Sequence, residues 1–207
     1  MKDQKLQTIS KARFILIRNL ILACLISVLF WLLLYSVLSP LQNMTEPLAR
    51  LIFALKCWGI ATLFCLILGI EAVAYERLGS SLISALGDGE SLRLRINQRY
   101  LQQTIEQMLV FVPGLLMLAI YCDTGETMRL VEVATIMWMG ARFVFWLNYH
   151  QDIQGGVPGM IGMLQNSIIL LYGCARFSYD LWGMTGAILM VSLFICMKLY
   201  LLGINKI

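Results

Sequence analysis

The sequence predicts an all-α integral membrane protein. Of its 207 residues, 59% are hydrophobic and only 14% are charged, and the mean hydropathy is +0.77. Soluble globular domains carry about 25% charged residues, so this composition excludes an ordinary soluble fold. The apolar residues form long runs and not the alternating segments of about 10 residues that build a transmembrane β-barrel. Helices are therefore the expected spanning elements.

Six apolar runs are each close to the roughly 20 residues that a helix needs to cross the hydrocarbon core. They are residues 14–38, 51–73, 100–121, 128–149, 158–177 and 181–202. The first run follows a basic segment, as in a signal peptide, but it is far longer than the h-region of about 7 to 15 residues. We therefore expect it to remain as a spanning helix, which gives six crossings.

The positions of Lys and Arg predict the orientation. They collect in the N-terminal tail, in the loop 74–99 and at the C-terminal end, which share one side after six crossings. The positive-inside rule makes that side cytoplasmic, so both termini are expected there and segment 39–49 outside. The membrane would be the endoplasmic reticulum or another endomembrane in a eukaryote, or the inner membrane in a bacterium. The net charge of +4 is then a topology signal, and no nucleic-acid partner is expected.

Cysteines and catalytic motifs point to no metal or hydrolytic chemistry. The six cysteines lie almost wholly in apolar runs without CxxC spacing, so no metal site is expected. A disulfide between Cys122 and Cys174, near the outer ends of their helices, is left open, as is glycosylation at the Asn43 sequon. The one histidine, His150, stands at a helix end and is interpreted as an interfacial polar residue.

Charged residues inside the apolar runs are the best functional candidates. A charge near the bilayer centre costs at least about 2.5 to 3.5 kcal/mol on insertion scales, so it generally has a partner. Arg129 and Glu132 are three residues apart and can pair on one helix face. Glu106 and Arg142 each lie seven residues inward from the cytoplasmic helix ends, roughly 10 Å deep at 1.5 Å per residue, and we expect them to form an ion pair. The full set is Lys56, Glu71, Glu106, Arg129, Glu132 and Arg142.

Two polar stripes accompany the expected pair, one on each helix. Their spacings, i, i+4, i+7 and i, i+3, i+7, keep each stripe on one helix face. The stripes are Arg99, Gln103 and Glu106, and Arg142, Phe145 and Tyr149. Together they predict one cleft on the cytoplasmic side.

These stretches resemble a known family. "RYLQQTIE" (99–106) resembles the Arg, Asn and Glu signature that opens the second helix of the MAPEG superfamily, the membrane-associated proteins in eicosanoid and glutathione metabolism. Gln103 stands where the family has Asn. "RFVFWLNY" (142–149) resembles the end of the third helix, and Arg77 in "AYERLG" resembles the glutathione-carboxylate Arg. The segment 141–172 is most similar to the mattrin-like branch.

The resemblance implies an architecture and a ligand. It implies a four-helix bundle at about 50–177, with an extra transmembrane helix in each flanking part, 1–49 and 178–207. It also implies a homotrimer that binds glutathione in a cytosolic-side cleft and meets lipophilic small molecules from the bilayer, as a glutathione-dependent transferase or peroxidase. The implied ligand-binding residues are Arg77, Arg99, Gln103, Glu106, Arg142 and Tyr149.

One departure from the family pattern leaves the activity open. The glutathione-using members carry an activating Arg at or just after the turn between the third and fourth helices, whereas segment 150–167 contains no Arg or Lys. A thiol needs a nearby cation or strong donors to ionise at neutral pH. Two functions other than an enzyme are therefore left open. The protein could be a non-catalytic descendant that binds a lipid or a protein as a membrane regulator. It could also be a transporter, although no inverted repeat in the sequence supports this. Loop 77–95 could be an interfacial helix or an ordinary connection.

Overall fold

The structure, a computed structural model, describes residues 2–78, 91–151 and 157–204, and the described residues contain helices and short turns but no β-strand. The prediction of an all-α protein is confirmed for these residues. The helices are α1 (Lys2–Val37), α2 (Pro47–Ala61), a π-helical segment (Thr62–Ile67), α3 (Leu68–Leu78), α4 (Leu92–Tyr121), α5 (Arg129–Gln151) and α6 (Val157–Ile204).

Helices of the described residues are long and apolar enough to cross a membrane in five places. They are Ile17–Val37, Pro47–Leu78, Leu92–Tyr121, Arg129–Gln151 and Met160–Leu201. The first four correspond to the first four apolar runs. The fifth holds both of the last two runs, so the structure has five spanning-length helices where the sequence predicts six crossings.

The fifth helix, α6, is broken at Gly183. This residue has φ 63° and ψ −153°, a conformation that is essentially restricted to glycine. In a continuous helix, Ser178 and Gly186 would be about 12 Å apart along the axis. Here they are in contact, because a Cβ on Gly186 would overlap the carbonyl oxygen of Ser178. The chain therefore turns back at the break. An N-terminal arm (157–182) and a C-terminal arm (184–204) lie side by side, and residues of both line one cavity.

The core lies between α2, the π-helical segment, α4 and α5. Phe111 and Trp138 stack at its centre with ring centroids 4.5 Å apart and an interplanar angle of 8°. Ala54 and Ala61 are fully buried and allow α2 to approach the other helices closely. By contrast, none of the 18 most apolar consecutive residues in Ile17–Val37 is buried. The helices that position the site are therefore α2 to α5 and the N-terminal arm of α6.

Two buried arginines tie the helices together at the end that the sequence places outside. Arg50 Nη1 donates to the carbonyl oxygen of Cys122 at 2.6 Å. Arg129 Nη1 donates to the carbonyl oxygens of Tyr35 at 3.0 Å and Leu38 at 3.1 Å. These acceptors stand at the C-terminal ends of α4 and α1, where helical carbonyls lack intrahelical partners. The two guanidinium groups therefore cap neighbouring helices.

The pairing predicted for Arg129 and Glu132 is wrong. Arg129 Nη2 lies 2.8 Å from Glu126 Oε1 instead, in the turn before α5. Helical side chains point towards the N-terminus, so an Arg in the first turn reaches backwards along the chain and not towards the next turn. The cation is therefore held by the turn and by the end of α1.

The disulfide left open by the sequence is not formed, since Cys122 and Cys174 are both free thiols. Cys122 is only 3% exposed and belongs to the core. Burial, with a smaller contribution from Asp123, raises the pKa of the Cys122 thiol from 9.0 to about 11, against the lowering effects of Thr127 and Arg50. This thiol is therefore a structural group with little thiolate at neutral pH.

Candidate functional site

A cavity of about 390 Å³ lies between α4, α5 and the N-terminal arm of α6. This volume is within the usual range of about 300 to 1,000 Å³ for small-molecule sites. Its wall consists of Gln103, Glu106, Gln107 and Val110 from α4, Phe145 and Tyr149 from α5, and Met160, Met163, Asn166 and Ser167 from α6. The wall thus combines an apolar surface with several amide and hydroxyl groups.

Three of the six residues implied by the family resemblance meet at this cavity. Gln103, Glu106 and Tyr149 all line it. Phe145, which belongs to the same stripe as Tyr149, also lines the cavity. Its ring contacts the Tyr149 ring at a centroid distance of 4.6 Å. The cleft predicted from the two stripes therefore has a counterpart in the structure, while the ligand-binding role of its residues stays a prediction.

The other three implied residues lie away from the cavity wall. Arg99 is exposed on α4, and Arg77 is half-buried in the last turn of α3. Arg142 is fully buried. Among the described residues that line the cavity, the carboxylate of Glu106 is the only formal charge. The cavity wall is therefore negative and not positive.

The predicted ion pair between Glu106 and Arg142 is wrong. The Glu106 carboxylate is exposed and accepts a hydrogen bond from Gln102 Nε2 at 3.0 Å. Arg142 instead contacts the opposite side of α4, where Tyr100 and Thr104 are buried. Residues 104 and 106 are about 200° apart around a helix, so one can face α5 while the other faces away. Equal depth was a correct reason to compare the two charges, but it did not fix the helix rotation.

Arg142 is a buried cation that forms no ion pair with an acidic side chain of the described residues. Its Nη2 donates to Thr104 Oγ1 at 3.0 Å and approaches the Tyr100 carbonyl oxygen at 3.5 Å, whereas Nε and Nη1 have no hydrogen-bond partner. The guanidinium carbon lies 4.3 Å from the centroid of the Phe145 ring and 5.2 Å from that of Tyr100. Cation–π contacts of this kind contribute about 2 kcal/mol when desolvated. Aromatic rings and one hydroxyl therefore stabilise the charge.

The π-helical segment positions Tyr100. The Tyr100 hydroxyl donates to the carbonyl oxygen of Cys65 in that segment at 3.1 Å. Gly69, one turn further, leaves room for the ring, because an added Cβ would lie 3.1 Å from two of its carbon atoms. π-Helical turns inside α-helices are frequent at functional sites. Here the turn fixes the aromatic ring that covers Arg142.

A second polar cluster lies where the N-terminal end of α4 meets the C-terminal end of α5. Asn97 is 3% exposed, and its Oδ1 accepts from Trp146 Nε1 at 3.1 Å and lies 3.0 Å from His150 Nε2. Since Oδ1 can only accept, His150 carries its proton on Nε2 in this contact. Trp146 and His150 also meet edge to face at 5.2 Å. His150 is therefore partly held by the bundle and is more than the purely interfacial group that the sequence suggests.

Asn166 is the polar group in the cavity wall that sequence reasoning missed. It is 2% exposed, and its Nδ2 donates to the Gln107 carbonyl oxygen at 3.4 Å. This contact fixes the amide orientation, because a carbonyl oxygen needs the NH2 group opposite it. Its Oδ1 is buried without a hydrogen-bond partner. A lone Asn in an apolar run gave no periodic signal, and only the coordinates reveal the unused acceptor.

A second cavity of about 410 Å³ adjoins the first. Val110 and Ser167 line both cavities. The other residues of its wall are apolar or weakly polar and come from the two arms of α6: Leu170, Leu171, Cys174, Met190, Leu193, Phe194 and Met197. The two cavities therefore share part of their walls, and the amide and carboxylate groups belong to the first one.

Two sequence expectations lie outside the described residues. The interfacial helix considered for loop 77–95 falls mainly on residues 79–90, and the turn that lacks the activating Arg includes residues 152–156. In the described part of the chain, no group of three or more His, Cys, Asp or Glu side chains is placed to hold a metal ion.

Comparisons of the chain with protein-family models, with curated proteins and with solved structures give no match.

Proposed function

We propose that this chain is a multi-pass membrane protein that binds an amphipathic small molecule in the cavity between α4, α5 and α6. The observation that carries the proposal is the meeting of Gln103, Glu106 and Tyr149, selected from the sequence by helical spacing, in the wall of one cavity. Intramembrane polar groups are costly, so their convergence on a cavity favours a binding role. The cavity opens among helices that lipid surrounds, which gives a lipophilic ligand direct access.

The proposed topology has six crossings with both termini in the cytoplasm. Each arm of α6 crosses separately, because the chain reverses at Gly183 and each arm is near the length that the hydrocarbon core requires. The cavity then lies in the cytoplasmic half. A homotrimer, implied by the MAPEG resemblance, would use small residues for close approach, and Gly140 is exposed with open space at its Cβ position.

Binding without turnover fits the cavity better than glutathione conjugation does. A glutathione thiolate would need a cation or strong donors, but the part of the cavity wall that the structure describes contains no Lys or Arg, and the sequence of segment 150–167 supplies none. The residues present therefore do not fit a thiol-activating site, and we derive no catalytic step. Glutathione-dependent transfer remains the second candidate function, favoured by the motifs around Arg99 and Arg142.

A pair of neighbouring substitutions tests the binding function. Val110 lines both cavities, so the larger side chain in Val110→Phe should fill space in both. Leu109, the next residue, is 73% exposed and lines neither cavity, so Leu109→Phe is the matched control. The measurement is the thermal unfolding midpoint of the protein in phosphatidylcholine nanodiscs, with dodecanol, dodecylamine, dodecanoate or glutathione added separately.

A ligand at 100 times its dissociation constant stabilises a protein by about 2.7 kcal/mol, or roughly 5 °C or more for a chain of this size. We expect at least one amphiphile to raise the midpoint of the wild type and of Leu109→Phe, but not that of Val110→Phe. If no compound gives a shift that depends on Val110, the proposed binding function is wrong. A shift with glutathione together with turnover of a lipophilic electrophile would establish the second candidate.

A further inference from the structure

The apolar cavity between the arms of α6 has the shape of a hydrocarbon subsite. It adjoins the polar cavity at Val110 and Ser167, and its wall is built largely from Leu, Met and Phe side chains. A ligand that occupies both cavities must therefore have a polar head joined to an apolar tail. Lipid tails are as apolar as these side chains, so a tail that moves here from the bilayer gains packing contacts but little hydrophobic free energy, and the head group beside the amides of the first cavity decides which ligand is preferred.

The polar cavity presents acceptors to that head. Asn166 Oδ1 is buried and has no hydrogen-bond partner. Glu106 contributes a carboxylate at the exposed side of the same wall. An unused buried acceptor costs free energy unless a donor reaches it, and a carboxylate favours a cation. Tyr149 adds an aromatic ring, which also attracts cations.

The nearest buried cation does not reverse this preference. Arg142 is not part of the cavity wall, and its Nη2 is directed to Thr104. The Phe145 ring, which lines the cavity, covers the guanidinium group at 4.3 Å. A head group in the cavity therefore lies beside Glu106 and Asn166 and is separated from Arg142 by an aromatic ring; a donor reaches Asn166 Oδ1, which is buried, only if neighbouring side chains shift.

We infer that the two cavities together bind a single-chain amphiphile with an ammonium head group, its head between Glu106 and Asn166 and its tail between the arms of α6. This inference rests on the proposed binding function and specifies its ligand class. The ammonium supplies both the positive charge for the carboxylate and the N–H donors for the amide oxygen.

Three amphiphiles with the same tail test the head group. Dodecylamine is positively charged at neutral pH, dodecanol is neutral and dodecanoate is negative. Each is added to nanodiscs of zwitterionic phosphatidylcholine, and the mole fraction in the bilayer that gives half of the maximal thermal shift is measured. Glu106→Gln removes the carboxylate charge at an exposed position and so should not disturb folding. Glu71→Gln, also exposed but outside both cavities, is the matched control.

We expect wild type and Glu71→Gln to require about tenfold less dodecylamine than dodecanoate, as one charge-assisted hydrogen bond implies. Glu106→Gln should reduce this preference to about threefold or less while dodecanol binding is unchanged. Equal binding of the three heads, with the shift still dependent on Val110, would overturn the inference and leave the proposed function standing. A preference for dodecanoate would also overturn it and would indicate that an anionic head reaches Arg142. Loss of every Val110-dependent shift would remove both the inference and the proposed function.

Discussion

The contact between Thr104 and Arg142 gives the sharpest stability prediction. Thr104 Oγ1 accepts from Arg142 Nη2 at 3.0 Å and donates to the Tyr100 carbonyl oxygen at 2.7 Å. Thr104→Val keeps the shape of the side chain but leaves a third guanidinium nitrogen without a good acceptor. Hydrogen bonds to charged groups contribute about 1.5 to 3 kcal/mol, so we expect the unfolding equilibrium to shift by roughly 10- to 150-fold.

Thr135 provides the matched control. It is also buried in the core region and donates to the Val131 carbonyl oxygen at 2.7 Å, the same intrahelical bond that Thr104 makes, but it receives nothing from an arginine. Thr135→Val should therefore cost about 1 kcal/mol or less. The Thr135 side chain has the Cys57 thiol as a hydrogen-bond neighbour and no arginine, so the difference between the two substitutions compares a guanidinium donor with a weak thiol donor.

A double-mutant cycle completes the test. In an Arg142→Met background, the cost of Thr104→Val should fall to that of Thr135→Val, because the donor is gone. Unfolding free energies are measured by circular dichroism during SDS titration in dodecylmaltoside micelles. If Thr104→Val lowers the unfolding free energy by the same amount with and without Arg142, the Thr104 hydroxyl does not stabilise the buried cation.

Three further predictions concern packing, charge pairing and pH. Gly173→Ala should destabilise the protein by about 1 to 3 kcal/mol because its Cβ would overlap a side chain of α4, whereas Gly140→Ala, with open space around it, should be nearly neutral in the same SDS titration. Glu106→Gln and Arg142→Met should have additive effects on unfolding free energy to within about 0.5 kcal/mol; a larger coupling would mean that they interact after all. Burial raises the pKa of the Cys122 thiol to about 11, so the folded state holds this proton more tightly than the unfolded state does. The stability that this proton contributes is present below pH 9.0 and is lost as the pH approaches 11. The unfolding free energy should therefore fall more over this interval in the wild type than in Cys122→Ser. Equal falls in the two proteins would show that this thiol is not the cause.

Hydropathy predicted the positions of the helices that are long and apolar enough to span a membrane, but not where these helices begin and end. The third apolar run begins at residue 100, whereas α4 begins at Leu92, capped by the Ser91 side chain, which accepts from the Leu94 N–H at 3.0 Å. Residues 92–99 are helical with a polar face, so a search for continuous apolar runs does not detect them. The break at Gly183 lies between the last two apolar runs, and both runs belong to one helix of spanning length.

Helical spacing found part of the site because a stripe at i, i+4 and i+7 must share one face. Gln103 and Glu106 line one cavity for that reason, and Tyr149 joins them because α5 packs against α4. The spacing did not show which face of α4 meets α5, so the partner of Arg142 was assigned incorrectly. Asn166 could not have been selected, because its unused oxygen depends on a contact with the backbone of another helix.

Photo-crosslinking of an alkylamine tests whether a ligand tail occupies the cavity between the arms of α6. A dodecylamine analogue with a diazirine at the end of its tail is irradiated in nanodiscs with the wild type, Val110→Phe and Leu109→Phe, and the adducts are mapped by mass spectrometry. We expect adducts in the wild type and in Leu109→Phe but not in Val110→Phe. The adducts should be on residues that line the apolar cavity: Cys174, Met190 or Met197. Adducts confined to lipid-facing positions, unchanged by Val110→Phe, would contradict it.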